Sequence, residues 1–283
     1  MNKEIVFVAD VFAHQHSGGG ELNNEELIKI LSKRGYNVLL MNSQALTPEV
    51  VREKKDSWFV IANFIFLSEE SKELLRELNV SYLVYEHDHK YLLTRDPSVF
   101  EDYTAPEDQV INRDFYKAAK AVFCQSKLHK EVVDKNLKID NTISVGGNLW
   151  SSETLDYLSE LGKKEKERKC AIWCSPNPIK GTQEAKIYCS TLNLEYKLIF
   201  EAPHHVFLDK LTNYKSFLFL PTTLETLCRV VVECRMAGMT VLLNKRIGAT
   251  SEDWFSLKGE ELIAIMRKKR TEIPDMVLEA FSS

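Results

Sequence analysis

The chain has no Cys-x-x-Cys pair, no apolar run long enough to cross a bilayer, no leader-like start and little net charge. Each absence excludes something. Its six cysteines (Cys124, Cys170, Cys174, Cys189, Cys228 and Cys234) are scattered and mostly set among apolar residues, which points to buried free thiols in a reducing compartment. The longest apolar stretch, around Trp58 to Leu67, is broken by Asn63, so no transmembrane segment is expected. MNKEIVFVAD runs straight into a strand pattern without the charged and apolar regions of a signal peptide, and a soluble, cytoplasmic protein is expected. A formal charge of −4 with both signs well mixed argues against a general polyanion binder, though not against a local basic patch. The GxGxxG spacing is missing, which disfavours a dinucleotide. No internal repeat or low-complexity segment is present.

What is there is an alternation. At 283 residues and 44% hydrophobic, the chain is long enough for two modest cores. Strand-like apolar runs (Ile5–Ala9, Asn37–Met41, Trp58–Ala62, Ser81–Tyr85, Ala121–Cys124, Thr142–Val145) alternate with amphipathic stretches (Glu21–Arg34, Glu69–Leu78, Arg113–Lys120, Lys127–Asn136). That is the pattern of a parallel α/β sheet. After Gly146-Gly147-Asn148 and a short helix comes the charge run GKKEKERK, read as a solvated connection. The alternation then restarts, from Cys170–Cys174 to a closing helix over Leu257–Lys269. The expected organisation is an N-terminal Rossmann-like domain over 1–148, a linker over 149–169 and a C-terminal Rossmann-like domain over 170–283, with ligands in a cleft at the carboxyl ends of the strands.

Two glutamates, Glu225 and Glu233, lie in PTTLETLCRVVVECRMAGMTVLL, a stretch that reads strand, turn, helix, strand. Glu225 is expected at the turn opening the helix and Glu233 about two turns further on, a separation of roughly 12 Å at ~1.5 Å per residue. That distance matches a sugar linked through a diphosphate to a ribose. The helix start between them offers amide N–H groups and a positive dipole end for phosphate. Such a pair on a charged helix is usually solvent-facing. Glu233, however, interrupts Val230-Val231-Val232 and Met236-Ala237, and a buried carboxylate needs a partner.

Other loops after strands carry polar residues. Ala13 to Glu21 contains Gly18, Gly19 and Gly20, which permit close backbone approach and positive φ. Tyr85-Glu86-His87-Asp88-His89 places titratable groups at a strand end. In a doubly wound lobe that strand lies beside the first, so His14, His16, His87 and His89 are expected to converge, as substrate contacts, as zinc ligands or in structural roles. Ser175 to Gly181 places Lys180 where a diphosphate could meet it, and Arg229 adds a second cation. His204 and His205 follow Pro203 in a loop where a base or sugar could lie.

ETLCRVVVECRMAG resembles the signature of glycosyltransferase family 4, retaining enzymes of GT-B fold that use nucleotide-activated sugars. SGGGELNNEELIKILSKRGYNV is similar to that family's glycine loop and first helix, and His87-Asp88-His89 to its histidine loop. AVFCQSKLHKEVV, TISVGGNLW and SPNPIKGTQEA resemble its serine segment, hinge and lysine–glycine donor turn, in the right order. The resemblance implies that Glu233 binds the donor ribose, Glu225 and His87 contact the transferred sugar, and Lys180 holds the diphosphate. Arg229 and the backbone of Leu227 and Cys228 would lie nearby, and Gly18 to Gly20 would line the donor–acceptor junction. It implies no metal site and no cofactor beyond the nucleotide-sugar donor. The chain departs from the family in Ser175, where an arginine is usual, and in Cys228, where glycine is common. Ile273 to Phe281 is the candidate for a segment crossing back to the first lobe.

The expected function is transfer of a sugar from a nucleoside diphosphate donor to a glycan or lipid-linked hydroxyl. A hydroxymethylated base of phage DNA is an alternative acceptor, since Lys90 to Arg95 and Arg113 to Lys120 mix basic and aromatic residues. A catalytically silent nucleotide-sugar-binding protein and a sugar-nucleotide epimerase are the rivals from other classes.

Overall fold

The structure, a computed structural model, describes residues 3–16 and 18–282; Ser17 of the glycine-rich loop lies outside them. The chain divides into two units, one holding the sequence through Leu149 and again from Lys269, the other running from Trp150 to Lys268.

In unit 1, strands β1 (Glu4–Ala9), β2 (Asn37–Asn42), β3 (Trp58–Ile61), β4 (Tyr82–Tyr85), β5 (Val122–Cys124) and β6 (Thr142–Ser144) form one sheet in the order β2-β1-β3-β4-β5-β6. Every pair is parallel. The helices are α1 (Gly19–Lys33), α2 (Pro48–Glu53), α3 (Glu69–Glu77), α4 (Arg113–Ala118) and α5 (Lys127–Leu137). Ile5 to Ala9 are fully buried, as a parallel strand covered on both faces requires. Alternate residues feed two cores. Ile5, Phe7 and Ala9 pack with Leu27 and Leu31 of α1, whereas Val6 and Val8 join Leu75 of α3 and Val133 and Leu137 of α5. Ser68 and Ser126 cap α3 and α5 by accepting from a backbone N–H three residues on, caps worth ~1 kcal/mol each.

Unit 2 opens with α6 (Ser152–Lys163) and continues with β7 (Glu167–Cys174), α7 (Thr182–Thr191), β8 (Tyr196–Phe200), α8 (His204–Leu211), β9 (Tyr214–Phe219), α9 (Arg229–Met236) and β10 (Thr240–Leu243). Its four parallel strands lie in the order β10-β9-β7-β8. Ala171, Phe217 and Phe219 face a core shared with α6, α8 and α9; Cys170, Ile172 and Leu218 face Ala185 and Cys189 of α7.

Segment 149–169, expected as a linker, is instead α6 and the start of β7. Leu155, Leu158 and Leu161 are fully buried in the unit 2 core, and Ser151 caps the helix. The charge run GKKEKERK is the exposed end of α6 and the exposed start of an eight-residue strand. Unit 2 therefore begins at Trp150 rather than at 170. It also ends earlier than expected: α10 (Glu260–Ser282) belongs to unit 2 up to Lys268 and to unit 1 beyond. Ile273, Val277 and Phe281, four residues apart, enter the unit 1 core, where Phe281 stacks on Trp58 at 4.7 Å. Arg270 pairs with Glu26 at 2.9 Å and Asp275 with Arg34 at 2.6 Å.

All six cysteines are free, and all but the half-buried Cys174 are buried. Among the described residues no helix is long and apolar enough to cross a membrane.

Candidate functional site

Because the strands of unit 2 are parallel, the loops that follow them gather at one edge of the sheet. Lys180 follows β7, His204 follows β8, and Glu225, Arg229 and Glu233 follow β9.

Glu233 lies inside α9, 2% exposed. Its Oε1 accepts from Trp150 Nε1 at 2.8 Å, His204 Nε2 at 3.0 Å and Arg229 Nε at 3.2 Å. The Arg229 guanidinium lies over the Trp150 ring, 4.4 Å from its centre. Burial pushes the Glu233 carboxyl up, but His204, Arg229 and Trp150 outweigh it and hold the pKa below the usual range. The Glu233 charge raises the pKa of His204 against the opposing effect of burial. Trp150 was not singled out in the sequence. It is 83 positions from Glu233, and no local pattern marks an indole as a carboxylate donor.

The second pair is Lys180 Nζ to Glu225 Oε1 at 2.7 Å, with the ammonium 5.5 Å from the centre of the Trp173 ring. Burial lowers the Lys180 pKa, and the Glu225 charge more than restores it, so the net shift is upward. Gly181 turns the chain after Lys180 at φ +66°; a Cβ there would stand 1.8 Å from the Leu220 carbonyl oxygen, so only glycine fits. The Thr222 N–H donates to the Ile179 carbonyl at 2.9 Å and ties this turn to the loop carrying Glu225. Glu225 lies four positions before α9 rather than in its opening turn. It is fixed by a bridge to Ile247, donating to Arg246 O at 3.0 Å and accepting from Gly248 N at 2.8 Å. Cys228 caps α9 at φ +73°, a conformation that accounts for glycine being the easier residue there. The Leu227 side chain is wholly buried in the core, so only its backbone can serve a ligand.

In unit 1 Gly18 does not adopt the positive φ expected of the glycine loop. Gly18 caps α1 with extended backbone (φ −97°), and the role of the loop is close approach. A Cβ on Gly18 would lie 2.2 Å from Glu21 Oε2, and one on Gly20 3.2 Å from His87 Cγ. Gly19 is the first residue of α1. His87 is locked: Gln125 Nε2 donates to its Nδ1 at 2.9 Å, and its Nε2 donates to Asn24 Oδ1 at 2.6 Å. Burial, helped by the Lys90 charge and opposed by Asp88, pushes its pKa down to about 3. The ring is therefore neutral near pH 7, with both nitrogens engaged by the protein.

Beneath it, Lys90 pairs with Glu86 at 2.6 Å and with Asp88, which also pairs with Arg95, and Tyr116 donates to Glu86. The four-histidine convergence does not form. β3 lies between β1 and β4; His14 and His16 are exposed. His89 bonds Tyr91 at 2.9 Å and meets the His129 ring edge-on. Among the described residues no group of three or more His, Cys, Asp or Glu is placed to hold a metal ion. Of the basic and aromatic side chains in the two stretches, Lys90, Tyr91, Phe115 and Tyr116 are buried and Arg95 and Arg113 pair with Asp88 and Glu107, while Lys117 and Lys120 are exposed.

These two parallel-sheet α/β units make up the GT-B fold. Neither protein-family models nor curated protein sequences match the chain. Solved structures do. It is similar to sucrose-phosphate synthase from Thermosynechococcus elongatus (TM-score 0.63, 10% identity, 99% of this chain and 100% of that chain). It is also similar to HepE from Anabaena in complex with UDP and glucose (TM-score 0.60, 13% identity, 100% of both chains). A third likeness is to an alpha-glucosyltransferase in complex with UDP and a 13-mer DNA containing an HMU base (TM-score 0.53, 10% identity, 100% of both chains). At these identities the likeness is one of fold.

Proposed function

We propose that the chain is a retaining glycosyltransferase of the family 4 type, moving a sugar from a nucleoside diphosphate-sugar to a hydroxyl. One observation carries this: Lys180–Glu225 and the Glu233–Trp150–His204–Arg229 cluster stand at the carboxyl ends of the unit 2 strands. The UDP-bound neighbours support a nucleotide donor. Glu233, aligned by its three donors, accepts from the ribose hydroxyls. Lys180 and Arg229, with the backbone of Leu227 and Cys228, take the diphosphate, and Glu225 accepts from hydroxyls of the sugar. As the bond from the sugar C1 to the phosphate oxygen breaks, the two cations stabilise the charge gathering on the leaving diphosphate. The acceptor oxygen bonds C1 on the face being vacated, and its proton passes to the leaving phosphate. No protein base is needed. His87 takes part as a neutral ring contacting the sugar beside Gly18 to Gly20, not as an acid or base, and no cofactor beyond the donor enters.

The proposed acceptor is a glycan or lipid-linked hydroxyl. A hydroxymethylated DNA base retains the support of the DNA-bound neighbour, but most of the side chains that pointed to DNA are buried or paired. Incubation with UDP-, GDP-, ADP- and CMP-sugars tests the proposal. Slow release of nucleoside diphosphate, and an acceptor product with the donor's anomeric configuration, are expected. Isomerised donor sugar would make the chain an epimerase; binding without turnover across a broad acceptor panel would make it a silent binding protein.

A further inference from the structure

More than half of the exposed large apolar side chains among the described residues fall between positions 179 and 200 of unit 2. Tyr196 and Phe200 lie on β8, the edge strand of its sheet, and Leu192 and Leu194 in the connection that leads into it. In the doubly wound order 3-2-1-4-5-6, strands β7, β8, β9 and β10 take places 1, 2, 4 and 5. Place 3, beside β8, is filled by no strand of the described chain. Tyr196, Leu198 and Phe200 are on the face covered by α7, since they pair in register with Cys170, Ile172 and Cys174. Tyr196 is 37% and Phe200 63% exposed, and α7 adds Ile187 and Tyr188 at 57% and 39%. The matching edge strand of unit 1, β2, exposes only Leu40 among its large apolar residues. An exposed edge strand with apolar side chains and outward-pointing backbone groups is a template for pairing with another chain.

We infer that β8 pairs antiparallel with β8 of a second copy of this chain, joining two four-stranded sheets into one. The sequence around the edge is self-complementary when the twofold axis passes through Ile199. Lys197 then stands opposite the second copy's Glu201, twice by symmetry, and Leu198 opposite its Phe200. Facing residues in an antiparallel pair share a side of the sheet, so both Leu–Phe pairs lie on the apolar α7 side and both Lys–Glu pairs on the other. The charged residue that would otherwise blunt this edge, Lys197, finds its opposite charge in the same strand of a second copy. That makes a second copy a better occupant than an unrelated apolar segment.

Light scattering after size exclusion, across a range of protein concentrations, tests this. The chain should run as a dimer. Lys197→Glu and Glu201→Lys each place like charges opposite one another twice and should weaken the dimer roughly tenfold. The double reversal restores the pairing and should return the dimer to near its original affinity, which separates loss of pairing from loss of fold. Phe200→Lys should give monomer with unchanged circular dichroism. A monomer at every concentration, or a dimer that survives both single reversals, overturns the proposal. So does binding of a monomer to anionic lipid vesicles that Phe200→Lys abolishes, since that would assign the face to a membrane.

Discussion

Lys90 of unit 1 and Lys180 of unit 2 each follow a strand of a parallel sheet and each pair with a glutamate, yet their surroundings differ. Lys90 is 3% exposed and meets two carboxylates, Glu86 and Asp88, while Tyr116 and Arg95 occupy the remaining oxygens. Lys180 keeps 23% of its side chain exposed and meets one carboxylate, Glu225, itself 17% exposed. A buried network satisfied on all sides has nothing to gain from a ligand, and removing one member leaves uncompensated charge. A partly exposed pair in a loop can take a new partner without leaving a charge buried. The first holds the histidine loop in place; the second is the pair proposed to meet the donor.

Replacing each lysine by methionine breaks the comparison most sharply. Lys90→Met should destabilise the protein by roughly 3–5 kcal/mol, because the fully buried Glu86 loses its counter-charge, whereas Asp88 keeps Arg95. Lys180→Met should leave the urea midpoint nearly unchanged and lower turnover about 100- to 1,000-fold. Equal losses of stability in both variants would erase the distinction. Gly181→Ala comes next. Its Cβ would overlap the Leu220 carbonyl, so the turn carrying Lys180 must shift, and turnover should fall at least about tenfold even where the protein stays folded.

A smaller effect concerns pH. Burial is the main cause raising the Glu86 pKa to about 7, with Asp88 adding to it and Lys90 and Tyr116 opposing. The folded protein then holds this proton more tightly than the unfolded chain, where a glutamate titrates near ~4.3. The stabilising contribution is complete below that value and is lost as pH rises through about 7. Glu86→Gln cannot titrate, so wild type should lose stability relative to it between pH 5 and 8 in urea melts. A difference that stays constant with pH contradicts this. Smallest of all, Cys228→Gly should relieve the left-handed cap of α9 but remove a side chain packed in the unit 2 core, so stability should change by less than about 1 kcal/mol.

Much of this architecture was legible in the sequence, because burial on both faces writes a parallel strand as a continuous apolar run; Ile5 to Ala9 is the clearest case. Lys180 and Glu225 could be singled out because they lie in loops that follow strands, and Glu233 because it interrupts the apolar run of α9. A short helix was read where α6 stands, but not its place in the unit 2 core, since Leu155, Leu158 and Leu161 make only a short stripe beside a conspicuous charge run. Nor was the locking of His87, which depends on Asn24 and Gln125, residues 63 and 38 positions away. Trp150 was missed for the same reason: a long-range donor to a buried carboxylate leaves no local period. The return of residues 269–282 to unit 1 was foreshadowed by Ile273 and Phe281, whereas the order of β3 and β4 was not, because strand order depends on packing rather than on local pattern.

The Glu233 cluster is proposed as the nucleotide end of the donor site. Titration calorimetry of UDP and UDP-glucose against wild type and Glu233→Ala tests it most directly, with melting curves run beside it to establish that the variant is folded. Micromolar binding to wild type and a loss of roughly 100-fold in the variant are expected, in keeping with about 2–5 kcal/mol for truncating one side of a buried, hydrogen-bonded charged contact. Equal affinity in the two proteins would show that Glu233 does not hold the nucleotide.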